Sequence, residues 1–81
     1  MAMNIYLVTQ TKNQDYGTYD SFICYAKTEE DARNMTPEGK AFNEFRIYSW
    51  CSNQNHANVK FIGISEDADK EEVILASFNA G

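Results

Sequence analysis

Asn4-Ile-Tyr-Leu-Val-Thr-Gln10 is the stretch that decides the fold. Ile5 and Leu7 alternate with Tyr6 and Val8, and a period of two with apolar groups on both sides belongs to a strand lying centrally in a sheet. The polar stretch from Thr11 to Asp20 follows, with Gly17 permitting a tight turn, and Ser21-Phe-Ile-Cys-Tyr-Ala-Lys27 repeats the strand pattern. The two strands are expected to pair as a hairpin. Thr28-Glu-Glu-Asp31 is a capping-box variant: the Thr28 hydroxyl can accept an orphan N–H of a first helical turn, where the helix dipole also favours acidic side chains. It predicts a helix of two to three turns ending before Thr36-Pro37, with Ala32 and Met35 toward the sheet and Glu30 and Arg33 pointing elsewhere.

Beyond Gly39 the signals mix. Ala41 to Phe45 has helical spacing, whereas Phe45-Arg-Ile-Tyr-Ser-Trp50 alternates like a strand, so a loop leading into a strand is the reading adopted. Ser52 to Asn58 has the composition of a loop, Val59 to Ile64 reads as a strand, and Val73 to Phe78 as the last one. The whole predicts an α+β fold: a small antiparallel or mixed sheet of four to five strands with one short helix packed on a face. The chain order is β-β-α-β-β-β, in a single domain covering residues 1–81.

A chain of 81 residues has little room for a core, although 43% of them are hydrophobic and 11 are aromatic (one Trp, five Tyr, five Phe). Burying roughly 60% of the unfolded surface leaves a slim margin of stability, which self-association into a dimer or tetramer would widen. The formal charge of -5 argues against direct nucleic-acid binding, because a basic stripe is needed to neutralise many phosphates. It leaves room for a small ligand carrying one or two phosphates. Glu66, Asp67, Asp69, Glu71 and Glu72 crowd one segment, which reads either as a solvated loop or as a row of charges imitating phosphates. Cys24 and Cys51 are the only cysteines, and neither has metal-site spacing, so two buried reduced thiols are expected and no metal or cofactor. The absence of a basic-then-apolar leader and of any membrane-length apolar run points to the cytoplasm.

No catalytic signature stands out. His56 is the single histidine, in an Asn-rich loop with no evident nucleophile and orienting acid beside it. Asp15 and Asp20 flank Tyr16-Gly-Thr-Tyr19 as turn-capping carboxylates, and the four glycines form no phosphate-cradling loop. The expectation is therefore a binding protein and not an enzyme. Tyr16, Tyr19 and Trp50 are aromatics in or beside loops, able to stack on bases at roughly 1–3 kcal/mol each. Thr18, Ser21, Ser77 and Asn79 can read base edges or riboses, and Lys12, Arg33 and Arg46 are the cations for phosphate. The bland alternative is that Tyr and Trp at strand ends pack half-buried. Chain ends usually fray, so the apolar ending Val73 to Gly81, with Ser77, Phe78 and Asn79 near its tip, suggests a held segment that shares a working surface with Tyr16 to Phe22, Asp20 included.

These residues also carry a resemblance. The N-terminal strand, Asp15-Tyr-Gly-Thr-Tyr-Asp-Ser-Phe22, Thr28-Glu-Glu-Asp-Ala-Arg33, Pro37-Glu-Gly39, Trp50, Val59-Lys-Phe-Ile-Gly63 and Ile74-Leu-Ala-Ser-Phe-Asn-Ala-Gly81 together resemble a family of small phage and prophage proteins. The likeness spans most of the chain. It departs at residues 40–49 and 51–57, which are longer and more polar than the pattern, so Trp50 is the loosest correspondence. The resemblance implies a relation to phage anti-defence (anti-CBASS) proteins that sequester cyclic nucleotide immune signals by stoichiometric capture, in the cytoplasm of an infected host cell. A competing class is an acidic inhibitor, a DNA mimic or anti-CRISPR-like protein, whose 66–72 segment occupies a basic site on a host protein. A plain structural or assembly module is the third.

Overall fold

The computed structural model describes residues 2–12, 18–37, 50–51 and 54–79, and of residues 54, 78 and 79 the backbone only. Four strands, β1 (Met3–Thr9), β2 (Thr18–Ala26), β3 (Asn58–Ser65) and β4 (Glu72–Asn79), form one sheet in the spatial order β3-β1-β2-β4. Each of the three pairings between these strands is antiparallel. A helix, α1 (Glu29–Arg33), follows the first hairpin, and a single 3-10 turn, Gln54–His56, precedes β3. This is the expected small α+β fold with β1 inside the sheet, and the ambiguity between antiparallel and mixed resolves to antiparallel. Of the additional strand expected at 45–50, residues 45–49 lie outside the described residues and Trp50 sits in a bend. Among the described residues the order is thus β-β-α-β-β.

The alternation groups Tyr6 with Val8 and Ile5 with Leu7, and packing decides which pair faces the core. Tyr6 and Val8 of β1 lie opposite Cys24 and Phe22 of β2, and these four join Ala26, Ala32, Trp50, Cys51 and Ala57 in one buried cluster. Phe22 and Trp50 are its largest members, with ring centroids 5.2 Å apart and a tilt of 58°. Small residues do the rest: Ala26, Ala32 and Ala57 are buried in the same cluster and bring helix, turn and sheet close together. Val59, Val73 and Ala76 pair with Val8, Cys24 and Phe22 and pack against the same cluster, so the core occupies one face of the sheet.

α1 is shorter than the sequence predicts, five residues instead of two to three turns. Its start is as expected, with the Thr28 hydroxyl accepting the Asp31 N–H at 3.1 Å. Its end comes early because Asn34 closes it, donating its N–H to Glu30 at 3.1 Å, and Met35 then turns back to Ala32 at 3.2 Å. Thr36 is fully buried just before Pro37, and a residue preceding proline avoids the helical region. Ala32 and Met35 do face the sheet.

The acidic segment has a defined course. β3 ends at Ser65 opposite Met3, and β4 begins at Glu72 opposite Tyr25, so residues 66–71 cross the end of the sheet from one edge to the other. Three strand spacings are about 14 Å, well within the reach of six residues. Glu71 anchors the crossing by accepting the Lys27 N–H at 2.8 Å, and Ala68 is buried beneath it. Among the described residues no helix is long and apolar enough to cross a membrane.

Candidate functional site

Residues opposed in an antiparallel pair project to the same face, so the register alone maps the face that the core does not use. Three rows run across all four strands. The first is Asn58, Thr9, Ser21 and Ser77; the second is Lys60, Leu7, Ile23 and Leu75; the third is Gly63, Ile5, Tyr25 and Glu72. None of the twelve belongs to the buried cluster. Asn58, Lys60, Leu75, Ser77 and Glu72 are exposed and the others are half-buried. A side chain added at Gly63 would point at Ile5 Cδ1, 4.0 Å away, which agrees with that row. One end of this face is therefore a line of small hydroxyl and amide groups, its middle is apolar with a lysine at the corner, and Tyr25 lies beyond.

Three bulges create the pattern, one at Ile62 on β3 between the pairs Ile5–Gly63 and Tyr6–Phe61 and two in the β2–β4 pairing. Asp20 is an extra residue on β2, between the pairs Tyr19–Phe78 and Ser21–Ser77, and Ile74 is an extra residue on β4 between Leu75 and Val73. Tyr19 and Ser21, two apart, would share a face in a regular strand. The bulge instead turns Tyr19 onto the core cluster and leaves Ser21 opposite Thr9 on the open face, the re-aiming for which bulges are used. Gln10 fixes this end of the sheet: its side-chain amide donates to the Tyr19 carbonyl at 2.8 Å and its own N–H to the Asp20 carbonyl at 3.1 Å. Asp20 itself is exposed, and the Ser21 hydroxyl reaches its carboxylate only at 3.5 Å.

The residues singled out from the sequence divide accordingly. Thr18, Tyr19, Ser21, Ser77, Phe78 and Asn79 come together, because the β2–β4 register sets the tail directly beside the start of β2. Of these, Thr18 is buried, Tyr19 is half-buried, and the side chains of Phe78 and Asn79 lie outside the described residues, as do Tyr16 and Arg46. Trp50 stands apart: its ring is fully buried against Phe22, so its faces belong to the core and are closed to a stacked base. Arg33 is also apart, on the helix, where its guanidinium donates to the Ala57 carbonyl at 2.6 Å and ties α1 to the approach to β3. Thr9, Asn58, Lys60, Tyr25 and Gln10 were not singled out. Single polar residues at strand ends carry no local signal, and only pairing puts them in one line.

Reactive groups are scarce on this surface. Burial pushes the Cys24 thiol up to about 12 from its ordinary 9.0, with the Glu71 carboxylate adding to the rise, so it is no nucleophile near neutral pH. Among the described residues no group of three or more His, Cys, Asp or Glu is placed to hold a metal ion. What the arrangement can do chemically is recognise: hydroxyls and an amide pair with base or sugar edges, an apolar strip accepts a flat ring, and Lys60 meets an anion. Comparison with protein-family models, with curated proteins and with solved structures finds no match to this chain.

Proposed function

We propose that this chain is a non-enzymatic, phage-encoded anti-defence protein that sequesters a cyclic nucleotide immune signal in the host cytoplasm, working as a homo-oligomer. The observation that carries the binding reading is the polar row Asn58–Thr9–Ser21–Ser77, which crosses four strands beside the apolar row Leu7–Ile23–Leu75. A base laid on the apolar strip has its edge at the hydroxyls and its phosphate toward Lys60, an arrangement open sheets use for unpaired bases. The nucleotide class and the phage setting come from the family resemblance. Capture makes and breaks no bond; it needs affinity, and a nanomolar complex corresponds to about 12 kcal/mol.

The test is a melting experiment on the purified chain with a panel of cyclic di- and trinucleotides. A ligand at a hundred times its Kd adds about 2.7 kcal/mol, which for a domain of this size raises Tm by roughly 10–20 °C. Thr9→Val with Ser77→Ala, removing two hydroxyls from the row, should weaken that ligand by roughly fivefold to a hundredfold, at about 0.5–1.5 kcal/mol per bond. If no compound in the panel moves Tm, the nucleotide reading fails. Within the phosphate-imitating alternative, Glu71 accepts the Lys27 N–H and Glu72 lies 3.8 Å from Lys70, while Glu66, Asp67 and Asp69 are exposed and are the carboxylates a basic partner would meet.

A further inference from the structure

We propose that β4 is the seam of a homodimer, in which two copies pair their β4 strands antiparallel about a two-fold axis near Leu75 and Ala76 to give one continuous eight-stranded sheet. The inference deepens the oligomer part of the function proposed above by naming the surface. It starts from the strand order: among the described residues β4 pairs with β2 on one side and has no strand on the other. An eight-residue edge then turns a run of backbone donors and acceptors outward, and only another extended chain satisfies such a run along its length.

Natural edges are blunted by charge, proline, a bulge or a short run; between Val73 and Asn79 β4 carries the Ile74 bulge but no charge, no proline and no shortening. Val73-Ile-Leu-Ala-Ser-Phe78 instead matches the composition of segments that stack into fibres: high β-propensity, no charge, no proline, no glycine. Ile74 is 46% and Leu75 65% exposed, so the centre of the edge carries its apolar groups into solvent. Such an edge is safe only when covered.

A second copy fits better than the other strand pairings within reach. β3, the opposite edge, exposes Phe61, Ile62 and Ile64 and like β4 carries one bulge, but it also places the Lys60 charge within the strand, a device against pairing that β4 lacks between Val73 and Asn79. Pairing β3 of one copy with β4 of the next would be heterologous and leaves an unpaired edge at each end unless many copies close a ring. The β4–β4 pairing closes at two. It sets Ile74, Leu75 and Ala76 of both copies at the axis and carries the two Glu72 carboxylates to opposite ends, about 20 Å or more apart at about 3.4 Å per residue. That exceeds a Debye length of about 8–10 Å, so the negative charge of each copy is no local obstacle.

A seam one strand wide and about 27 Å long buries less than the roughly 800 Å² per partner of a standard interface, the size class of weak, concentration-dependent association. Sedimentation velocity of the whole chain without ligand, from about 1 to 300 µM, should therefore show the mass doubling with concentration. Ile74→Lys and Leu75→Lys, both at exposed positions and checked for folding by circular dichroism, should each weaken the dimer at least tenfold. Phe61→Lys on the other edge and Leu7→Ser on the open face should leave it unchanged. A monomer throughout the range, open-ended growth, or a dimer lost in Phe61→Lys or Leu7→Ser but kept in Leu75→Lys would overturn the proposal. Because no nucleotide is present, loss of the dimer and loss of ligand capture are read separately.

Discussion

Cys24 offers a sharp test of how well the core is closed. Its thiol is fully buried between β1 and β4 and is raised to about 12, burial being the larger cause and the Glu71 carboxylate the smaller. In the unfolded chain the same thiol titrates near 9.0. Below pH 9 both states hold the proton and the difference contributes nothing. Above it the unfolded state releases a proton that the folded state keeps, so stability falls by about 1.4 kcal/mol per pH unit until the folded thiol also ionises. At pH 10.5 the loss is about 2 kcal/mol, one and a half units of that slope, and it is almost nil at pH 8. The assay is urea unfolding of the wild type and of Cys24→Ala at both values. The variant pays a constant cost for lost packing, while other titrating groups, common to both proteins, cancel. The wild type should lose about 2 kcal/mol more than the variant between the two pH values. Glu71→Gln, which keeps an acceptor for the Lys27 N–H, should retain most of that extra loss because burial dominates. Parallel pH profiles for wild type and Cys24→Ala would show that the thiol reaches solvent in the native state, and the picture of a sealed cluster would fall.

Phe22→Ala removes the ring against Trp50 and should cost about 3–5 kcal/mol, against a total of about 4–12 kcal/mol for a chain of this length; chemical denaturation showing a loss under 1 kcal/mol would contradict the packing. Thr28→Ala should lower stability by about 1 kcal/mol and Tm by roughly 4–8 °C through the lost cap, with Thr28→Ser restoring it. Arg33→Ala should cost about 1–2 kcal/mol in ligand-free protein by removing the donor to Ala57, visible in thermal melts. Were Arg33 instead only a phosphate contact, its loss would appear solely in ligand affinity. Asp67→Lys with Asp69→Lys, both exposed and away from the Glu71 anchor, should leave nucleotide capture unchanged in calorimetry; loss of binding to a basic host protein in pull-down would revive the acidic-inhibitor reading.

Much of the architecture was legible in the sequence because its causes are local. The alternation of Ile5 to Val8, the repeat at Phe22 to Ala26 and the Thr28 cap each act over a few residues, and they determined two strands and the start of the helix, whereas a strand apolar on both sides left the core face to tertiary packing. The length of the helix was not local in that sense: Thr36 is buried by tertiary packing, and Asn34 closes α1 a turn before the proline that the sequence marks as its limit. The same division holds for the site. That the tail and the Tyr16–Phe22 region share a surface was expected from composition, and the β2–β4 register juxtaposes them from Thr18 and Asn79 onward. Which side chains line up was decided only by the pairing of strands distant in sequence. The bulges at Asp20 and Ile74 invert the local period, so residues two apart part company, while Asn58, Thr9, Ser21 and Ser77, drawn from four separate strands, become neighbours. Trp50 and Arg33 show the converse. By residue type they are ligand-binding groups, but the core took one for its volume and the helix the other for its donors, because burial and unpaired carbonyls are properties of the folded chain and not of the residue.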